Sequence, residues 1–172
     1  MPVSPFFPLW AQRVADVNHA VGIKFLTMKR VNASDISKHH NGFLLRQDVV
    51  ETLLVPFLAD KEREKAGLLT FNDKKRVDGE CSSPSSTRVH GGLNVSVYVQ
   101  GGWRVELLLT RFDESGDTVL MGDELVLLRK LGNLREGDDT AIWMFRRPDG
   151  DNNREKFCFF VVKVNLSHFG TI

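Results

Sequence analysis

The residues best suited to chemistry lie in one short polar stretch, which begins at Asp35 and contains adjacent histidines, His39 and His40. With the carboxylate, these imidazoles could in principle coordinate a metal ion. Neighbouring side chains of an extended segment point to opposite sides, however, so the two histidines rarely bind one ion. Lys38 and Asn41 add N–H donors suited to phosphates and base edges. We predict no metal site, and the alternatives are nucleic-acid binding and a solvated turn.

Catalytic motifs are absent from the sequence. It contains no G-x-S-x-G elbow, no phosphate-binding G-x-x-x-x-G-K-[ST], no H-E-x-x-H and no C-x-x-C pair. Gly137-Asp138-Asp139 has no partner carboxylates nearby and is typical of a turn. We therefore expect no enzyme and no cofactor. A fragment related to the DNA-recognition modules of restriction endonucleases is a remote third hypothesis.

Composition limits the kind of partner that this chain can bind. Its 172 residues, 42% hydrophobic and 26% charged, are typical of one globular domain. The formal net charge is only +1, so nucleic acid would have to be bound by a local basic patch. The N-terminus lacks the features of a signal peptide, and no apolar run approaches the length of a membrane span. We expect no membrane association.

The clearest structural signal is alternation. Apolar residues occupy every second position of 93–99 and again of 103–109. That period is typical of half-buried strands. Gly101-Gly102 between them tolerates the positive φ of a tight turn. The pattern predicts a β-hairpin.

Further short elements follow from similar patterns. Strands are predicted at 23–31, 43–45, 118–121, 140–147 and 156–165. The spacing of Trp10, Val14, Val17 and Val21 predicts a helix packed on the domain, with Gly22 as its C-terminal cap. Two more helices are predicted, one from about Asp48, which has capping-box spacing, and one from Asp123, a plausible N-cap, to Lys130.

Many short strands with few helices indicate a mainly β (α+β) barrel or sandwich. We divide the chain into an N-terminal arm and short helix (1–22), the β domain (23–165) and a tail (166–172). Within the domain, the Ser-, Gly- and Lys-rich stretch 72–92 is predicted to be a mobile loop.

The order of the elements and several short motifs resemble the plant "B-three" DNA-binding domain family, in its divergent, reproductive-meristem-like branch. Lys-Arg-Val-Asn-Ala-Ser-Asp-Ile at 29–36 is similar to the opening motif of that family. Leu-Arg-Glu-Gly-Asp at 134–138, followed by the hydrophobic strand ending Phe-Arg at 142–146, is similar to a second motif. The segment 37–43 is similar to Ser-Thr-His-Gly-Gly-Phe of auxin response factors, with one residue more. The resemblance covers about 23–164.

The resemblance implies an open seven-stranded DNA-binding pseudobarrel with two short helices. It implies sequence-selective binding of double-stranded DNA in the major groove through two loops, which we name the N-arm (34–42) and the C-arm (111–118). In this hypothesis the base-reading residues are Lys38, His39, His40 and Asn41. The phosphate-binding residues are Lys29, Arg30, Arg46 and Arg111. Ser37, Ser115 and Thr118 are further DNA-binding residues. The expected role is that of a plant transcription regulator acting in the nucleus.

The two arms differ in charge. Residues 24–47 carry a net +4 with neutral histidines, which favours contact with phosphates. Residues 111–124 carry a net −4, and carboxylates are repelled by a phosphate backbone. An alternative function is therefore a protein-interaction module on the same fold with weakened or lost DNA binding. Its partner would bind the acidic loop 113–117 or the N-terminal helix.

Overall fold

The computed structural model describes residues 7–37, 42–69, 91–112, 115–150 and 153–164, and their main feature is one seven-stranded sheet. The strands are β1 (Val21–Arg30), β2 (Gly42–Leu45), β3 (Leu93–Val99), β4 (Trp103–Arg111), β5 (Thr118–Met121), β6 (Asp139–Pro148) and β7 (Glu155–Val164). Their order in the sheet is β1-β6-β7-β3-β4-β5-β2. The β3–β7 pair is parallel, and the other pairs described are antiparallel.

The sheet is open, because β1 and β2 stand at its two ends and no ladder joins them within the described residues. The predicted fold class, a mainly β chain with an open seven-stranded sheet and short helices, is confirmed. The predicted hairpin is confirmed as β3 and β4, where Val99 pairs with Trp103. Its turn is a three-residue 3₁₀ segment, Gln100–Gly102, instead of two glycines alone.

Helical segments exceed the two that the resemblance implies. They are α1 (Leu9–Val17), α2 (Ala33–Ile36), α3 (Gln47–Val49), a π-helical turn (Val50–Leu54), α4 (Val55–Phe57), α5 (Asp60–Ala66) and α6 (Leu125–Leu131). None of the helices described is long and apolar enough to cross a membrane. The predicted loop at 72–92 lies outside the described residues except for its last two, and the tail 166–172 lies wholly outside them.

These two helices begin within two residues of the predicted positions, but neither predicted residue is the N-cap. Arg46 occupies the N-cap of α3 and its side chain bonds to no backbone group there; its guanidinium pairs instead with the carboxylate of the predicted cap, Asp48. Glu124 occupies the N-cap of α6 in place of Asp123, and its carboxylate accepts the N–H of Glu106.

The inner face of the sheet carries the main core. Consecutive residues of β6 and β7 alternate between the two faces, and the inner ones include Ile142, Met144, Phe157 and Phe159. They pack with the buried apolar residues of the other strands and of the helices. Burying one such side chain contributes about 1.5–3 kcal/mol. Strand β7 is covered on both faces, since every residue of 157–162 is buried.

The outer face of the sheet is covered by α1, as predicted. Ala11 and Ala15 of this helix pack in one cluster with Trp143, Phe145 and Phe160, whose side chains form the aromatic layer of the outer face. The rings of Phe145 and Phe160 are stacked, with centroids 4.4 Å apart.

Only part of the predicted apolar face of α1 packs against the sheet. Trp10 and Val14 pack against the outer cluster, but Val17 is 77% exposed and Val21 already belongs to β1. Gly22 is likewise a residue of β1, with φ of 64°, and the helix is capped at Asn18. The helix is thus shorter than the spacing suggests, and its fully buried residues are Ala11 and Ala15.

Candidate nucleic-acid interface

The N-arm begins with a single helical turn, α2, whose N-terminus is closed by two reciprocal hydrogen bonds. The side chain of Asn32 accepts a hydrogen bond from the Asp35 N–H at 3.0 Å. The Asp35 carboxylate accepts one in return from the Asn32 N–H at 2.9 Å. This reciprocal pattern is a capping box, which fixes the direction in which the chain leaves β1.

Asp35 connects the two ends of the open sheet. Its side chain is only 1% exposed, and Oδ2 lies 3.0 Å from the Nζ of Lys29 on β1. Its Oδ1 accepts the N–H of Leu44 on β2 at 3.2 Å. The ammonium group of Lys29 also lies 4.9 Å from the ring centroid of Phe43. One buried carboxylate therefore joins β1, α2 and β2 where no strand pairing does so in the described chain.

Lys29 is not exposed, although its predicted role in phosphate binding would require that. Its side chain is 10% exposed and its charge is neutralised by Asp35. A phosphate contact would require it to leave a buried partner, which is strongly unfavourable. The structure assigns Lys29 to the support of the N-arm, and we omit it from the proposed DNA contacts.

Arg30 and Arg46 remain at the surface. Their side chains are 72% and 66% exposed, and they pair with Asp139 and Asp48 respectively. Such exposed pairs are worth about 0–1 kcal/mol, so either guanidinium can exchange its carboxylate for another anion at little cost.

The predicted base-reading residues Lys38, His39, His40 and Asn41 lie outside the described residues. The residues on either side of them are described. Ser37 is half-buried, and its carbonyl oxygen accepts a hydrogen bond from Nη1 of Arg129 on α6 at 3.1 Å. Gly42 opens β2 and pairs with Met121 of β5.

The C-arm is closed by its own backbone. The Phe112 N–H donates to the Asp117 carbonyl oxygen at 2.8 Å, and the Gly116 N–H donates to the Phe112 carbonyl oxygen at 2.8 Å. Gly116 has φ of 73°, a conformation that favours glycine. Ser115 is exposed, and its Oγ accepts the Asp117 N–H at 3.3 Å.

The remaining C-arm residues differ in accessibility. Arg111 is half-buried, while Asp113 and Glu114 lie outside the described residues. Thr118 is fully buried at 0% exposure, because β5 runs between β4 and β2 and pairs with both. Its hydroxyl cannot reach DNA without rearrangement of the strands, so we omit Thr118 from the proposed contacts as well.

The two arms leave opposite ends of the β2–β5 ladder. Gly42 pairs with Met121 at the N-arm end, and Leu45 pairs with Thr118 at the C-arm end. At a rise of roughly 3.3 Å per residue, the two ends are about 10 Å apart. Arg46, which follows Leu45, therefore lies on the C-arm side. The structure brings Arg46 to the C-arm and leaves Ser37 at the other end.

Asp35 and Arg129 are structural residues of the site that the sequence hypothesis missed. Asn32 and Asp35 do have the spacing of a capping box, so the local bond could have been predicted. The contact of Arg129 with Ser37 joins residues 92 positions apart, and no local pattern indicates it. Burial lowers the pKa of the Arg129 guanidinium, and the charge of Asp35 opposes that shift.

Other candidate sites in the described chain are less suitable. No group of three or more His, Cys, Asp or Glu side chains is placed there to hold a metal ion. An open cleft of about 660 Å³ beside α5 is lined by both acidic and basic side chains. Within it, Glu106 already pairs with Lys156 at 2.5 Å and with Arg104 at 3.2 Å.

Comparison with known proteins gives weak similarity only. No family model matches the chain, and no curated protein matches its sequence. The solved Arabidopsis FUS3–DNA complex is similar to it with a TM-score of 0.44 and 13% identity, over 83% of this chain and 100% of that one. The Arabidopsis thaliana transcription factor LEC2–DNA complex is similar with a TM-score of 0.44 and 13% identity, over 84% and 96%. At these values the similarities carry no functional argument for this chain.

Proposed function

We propose that this chain binds double-stranded DNA sequence-selectively in the major groove and acts as a transcription regulator in the plant nucleus. The observation that carries the proposal is the support of the N-arm. A short segment rich in N–H donors, 38–41, joins two residues, Ser37 and Gly42, whose positions are held by neighbouring elements. Base reading requires donors that are carried by well-positioned elements, and the two flanking residues meet that requirement.

The proposed DNA contacts combine the residues of segment 38–41 with basic side chains that are exposed on the described surface. Lys38, His39, His40 and Asn41 are proposed to read bases. Arg30 and Arg46, both exposed, hold phosphates together with Arg111. Ser37 and Ser115 approach the DNA at opposite ends of the β2–β5 ladder. The spacing of about 10 Å between those ends is close to the width of a major groove, about 12 Å.

A fluorescence-anisotropy titration with random-sequence duplexes over a salt series tests DNA binding. We expect a dissociation constant of about 10⁻⁴–10⁻⁶ M that rises steeply with salt. Arg46→Gln, which removes a proposed phosphate contact, should reduce the salt slope by roughly one, whereas Lys61→Gln, which removes one positive charge from an exposed position of α5, should not. Absence of binding, or binding that is indifferent to salt, would instead favour the protein-interaction module.

Base reading is tested separately with His39→Ala and His40→Ala. A base contact contributes about 1–3 kcal/mol of discrimination, so these changes should relax sequence preference more than they lower total affinity. Preference is measured by selection from a randomised duplex pool. A uniform loss of affinity across all sequences would reassign the histidines to phosphate contact.

A further inference from the structure

Two exposed basic residues near the start of the N-arm have no role in the contacts described so far. Lys130 lies in the last turn of α6, and Arg135 lies in the turn between α6 and β6. Neither side chain forms an ion pair with another residue of the described chain. A cation that has no carboxylate partner can bind an outside anion without first giving up a bond.

The end of α6 is fixed beside the start of the N-arm. Arg129, the residue before Lys130, donates from Nη1 to the carbonyl oxygen of Ser37 at 3.1 Å. Because Ser37 directly follows α2, the last turn of α6 lies at the C-terminal end of α2. The Leu134 N–H donates to the Arg129 carbonyl oxygen at 2.9 Å and so ties the following turn to the same place.

The turn of Arg135 is fixed at the other end of α2. Within this turn, the Arg135 N–H donates to Oδ2 of Asp138 at 2.7 Å, and the Asp138 N–H donates to the Arg135 carbonyl oxygen at 3.1 Å. The Val31 N–H donates to the Asp138 carbonyl oxygen, and the Gly137 N–H donates to the Val31 carbonyl oxygen, both at 2.8 Å. Val31 is followed by Asn32, the N-cap of α2. The two cations therefore flank α2 at its two ends.

The exposed charge around α2 is positive. We name the α2 surface the region formed by Arg30, Lys130 and Arg135 around residues 32–34, which are exposed as well. Segment 129–136, which supplies two of these cations, carries three positive side chains and one negative, a net charge of +2. The other carboxylates beside α2 are already bonded in three ion pairs, Asp35 with Lys29, Asp138 with Lys163 and Asp139 with Arg30. A surplus of positive charge at an exposed surface attracts a polyanion.

We propose that the α2 surface contacts the phosphate backbone of DNA where the chain leaves β1, with Lys130 and Arg135 each binding one phosphate. The inference rests on the proposed function and adds two contacts that none of the sequence motifs includes. Phosphate contacts carry no sequence information, so the two cations should contribute equally to the affinity for every duplex.

Helix α5 provides a matched control. Lys61 and Lys65 are exposed there, and neither forms an ion pair in the described chain. This helix bonds to β6 through Glu62 and Arg146, at 2.6 Å, whereas Arg30 pairs with β6 at Asp139. Seven residues of β6 separate those two positions, which is about 23 Å at roughly 3.3 Å per residue. That separation exceeds the screening length of about 8–10 Å at physiological salt.

The test is an anisotropy titration of random-sequence duplexes over a salt series. Lys130→Gln/Arg135→Gln should reduce the slope of log affinity against log salt by roughly two, since each contact contributes about 0.9. From about 50 to about 200 mM salt, this variant should then lose roughly tenfold less affinity than wild type. Lys61→Gln/Lys65→Gln removes the same charge and should keep the wild-type slope.

A gain of affinity gives a second test that misfolding cannot imitate. Glu136 is exposed next to Arg135 and has no ion pair in the described chain. In the proposed complex its carboxylate lies near a phosphate, so Glu136→Gln should strengthen binding at low salt by up to about fivefold. The gain should disappear at high salt, where the repulsion is screened.

Sequence preference is measured in the same variants as the ratio of affinities for a duplex selected by wild-type protein and a scrambled duplex. For Lys130→Gln/Arg135→Gln the ratio should stay within about twofold of wild type, because phosphate contacts do not discriminate. A fall in this ratio with an unchanged salt slope would contradict the phosphate contacts.

The remaining outcomes separate this inference from the proposed function. If wild-type protein binds duplexes in a salt-dependent manner but the α2-surface and α5 variants have the same slope, DNA binding stands and the α2-surface contacts are wrong. If wild-type protein shows no salt-dependent binding, the proposed function is wrong, and the α2-surface contacts with it.

Discussion

The N-arm and the C-arm are connections between strands that are stabilised in different ways. The N-arm depends on side chains, since Asp35 bonds to Lys29 and Leu44 while Arg129 holds Ser37. The C-arm depends on its own backbone, which closes the loop between Phe112 and Asp117. Geometry in the N-arm is therefore sensitive to substitutions elsewhere in the fold, whereas geometry in the C-arm is a local property.

The arms also differ in the charge that they offer to a partner. The N-arm lies in a region of net charge +4 and the C-arm in one of net charge −4. Two arms of opposite charge cannot grip a polyanion equally well. In the proposed DNA complex the N-arm would therefore supply most of the electrostatic attraction, and the C-arm would limit the affinity.

The largest expected effect tests the dependence of the N-arm on side chains. Asp35→Asn leaves the Lys29 ammonium buried without its carboxylate, and breaking a buried pair in this way costs about 3–5 kcal/mol. The midpoint of urea unfolding should fall accordingly.

The C-arm provides the control for that experiment. Ser115→Ala removes one exposed hydrogen bond to the Asp117 N–H and should cost less than about 1 kcal/mol. Equal losses from the two substitutions would show that the arms do not differ in the way proposed.

An intermediate effect tests the difference in charge. We expect the triple change Asp113→Asn/Glu114→Gln/Asp117→Asn to strengthen binding to random duplexes by about fivefold at low salt. Each carboxylate near a phosphate costs up to roughly 1 kcal/mol in water. The gain should shrink as salt rises and screens the repulsion.

Neutralising acids far from the arms should have a smaller effect. Asp60→Asn/Glu64→Gln on exposed α5 is a suitable comparison for the anisotropy titration. A similar gain from both sets would mean that total charge, and not the position of the C-arm, limits the affinity.

The smallest effect concerns acid stability beside the N-arm. Asp138 belongs to the turn whose backbone bonds to Val31, where the N-arm chain leaves β1. Burial by itself raises the pKa of this carboxyl. Hydrogen bonds from Lys163 and from the Arg135 N–H outweigh that shift, and they hold the pKa below its usual 3.8.

Because the pKa of Asp138 is lower in the folded protein than in the unfolded chain, its ionised carboxylate stabilises the fold at pH values above the unfolded pKa. This stabilisation is lost as the pH falls through the folded value. Asp138→Asn should therefore be less stable than wild type near neutral pH, and the two should converge as the pH is lowered to about 2. Urea midpoints at several pH values measure the difference. A constant difference at all pH values would assign the loss to packing.

Most of the sheet could be predicted from the sequence because alternation is a local signal. The alternation located β3 and β4, although Ser96 and Tyr98 on the polar side of β3 are buried as well. Strand β5 was predicted with its observed bounds, 118–121. Helix starts were predicted less well, since Asp48 and Asp123 have cap-like positions but their helices begin at other residues. At the second start the carboxylate of the observed N-cap, Glu124, accepts the N–H of Glu106 on β4, and local patterns cannot show such a tertiary partner.

Site residues were harder to predict for the same reason. Lys29 and Thr118 are polar types that usually lie at the surface, yet the fold encloses both. Thr118 is buried because β5 has a strand on each side, and Lys29 because Asp35 lies against it. The exposed Arg30 and Arg46 are placed as their residue types suggest.

Helix α1 limits how far the chain can be shortened from its amino-terminal side. Phe145, Phe160 and Trp143 stay out of water because residues 7–17 lie over them. A fragment that begins at residue 23 would expose these aromatic side chains to solvent. An exposed hydrophobic patch of this kind promotes self-association. Residues 7–17 are therefore part of the packed β domain, and a stable fragment has to include them.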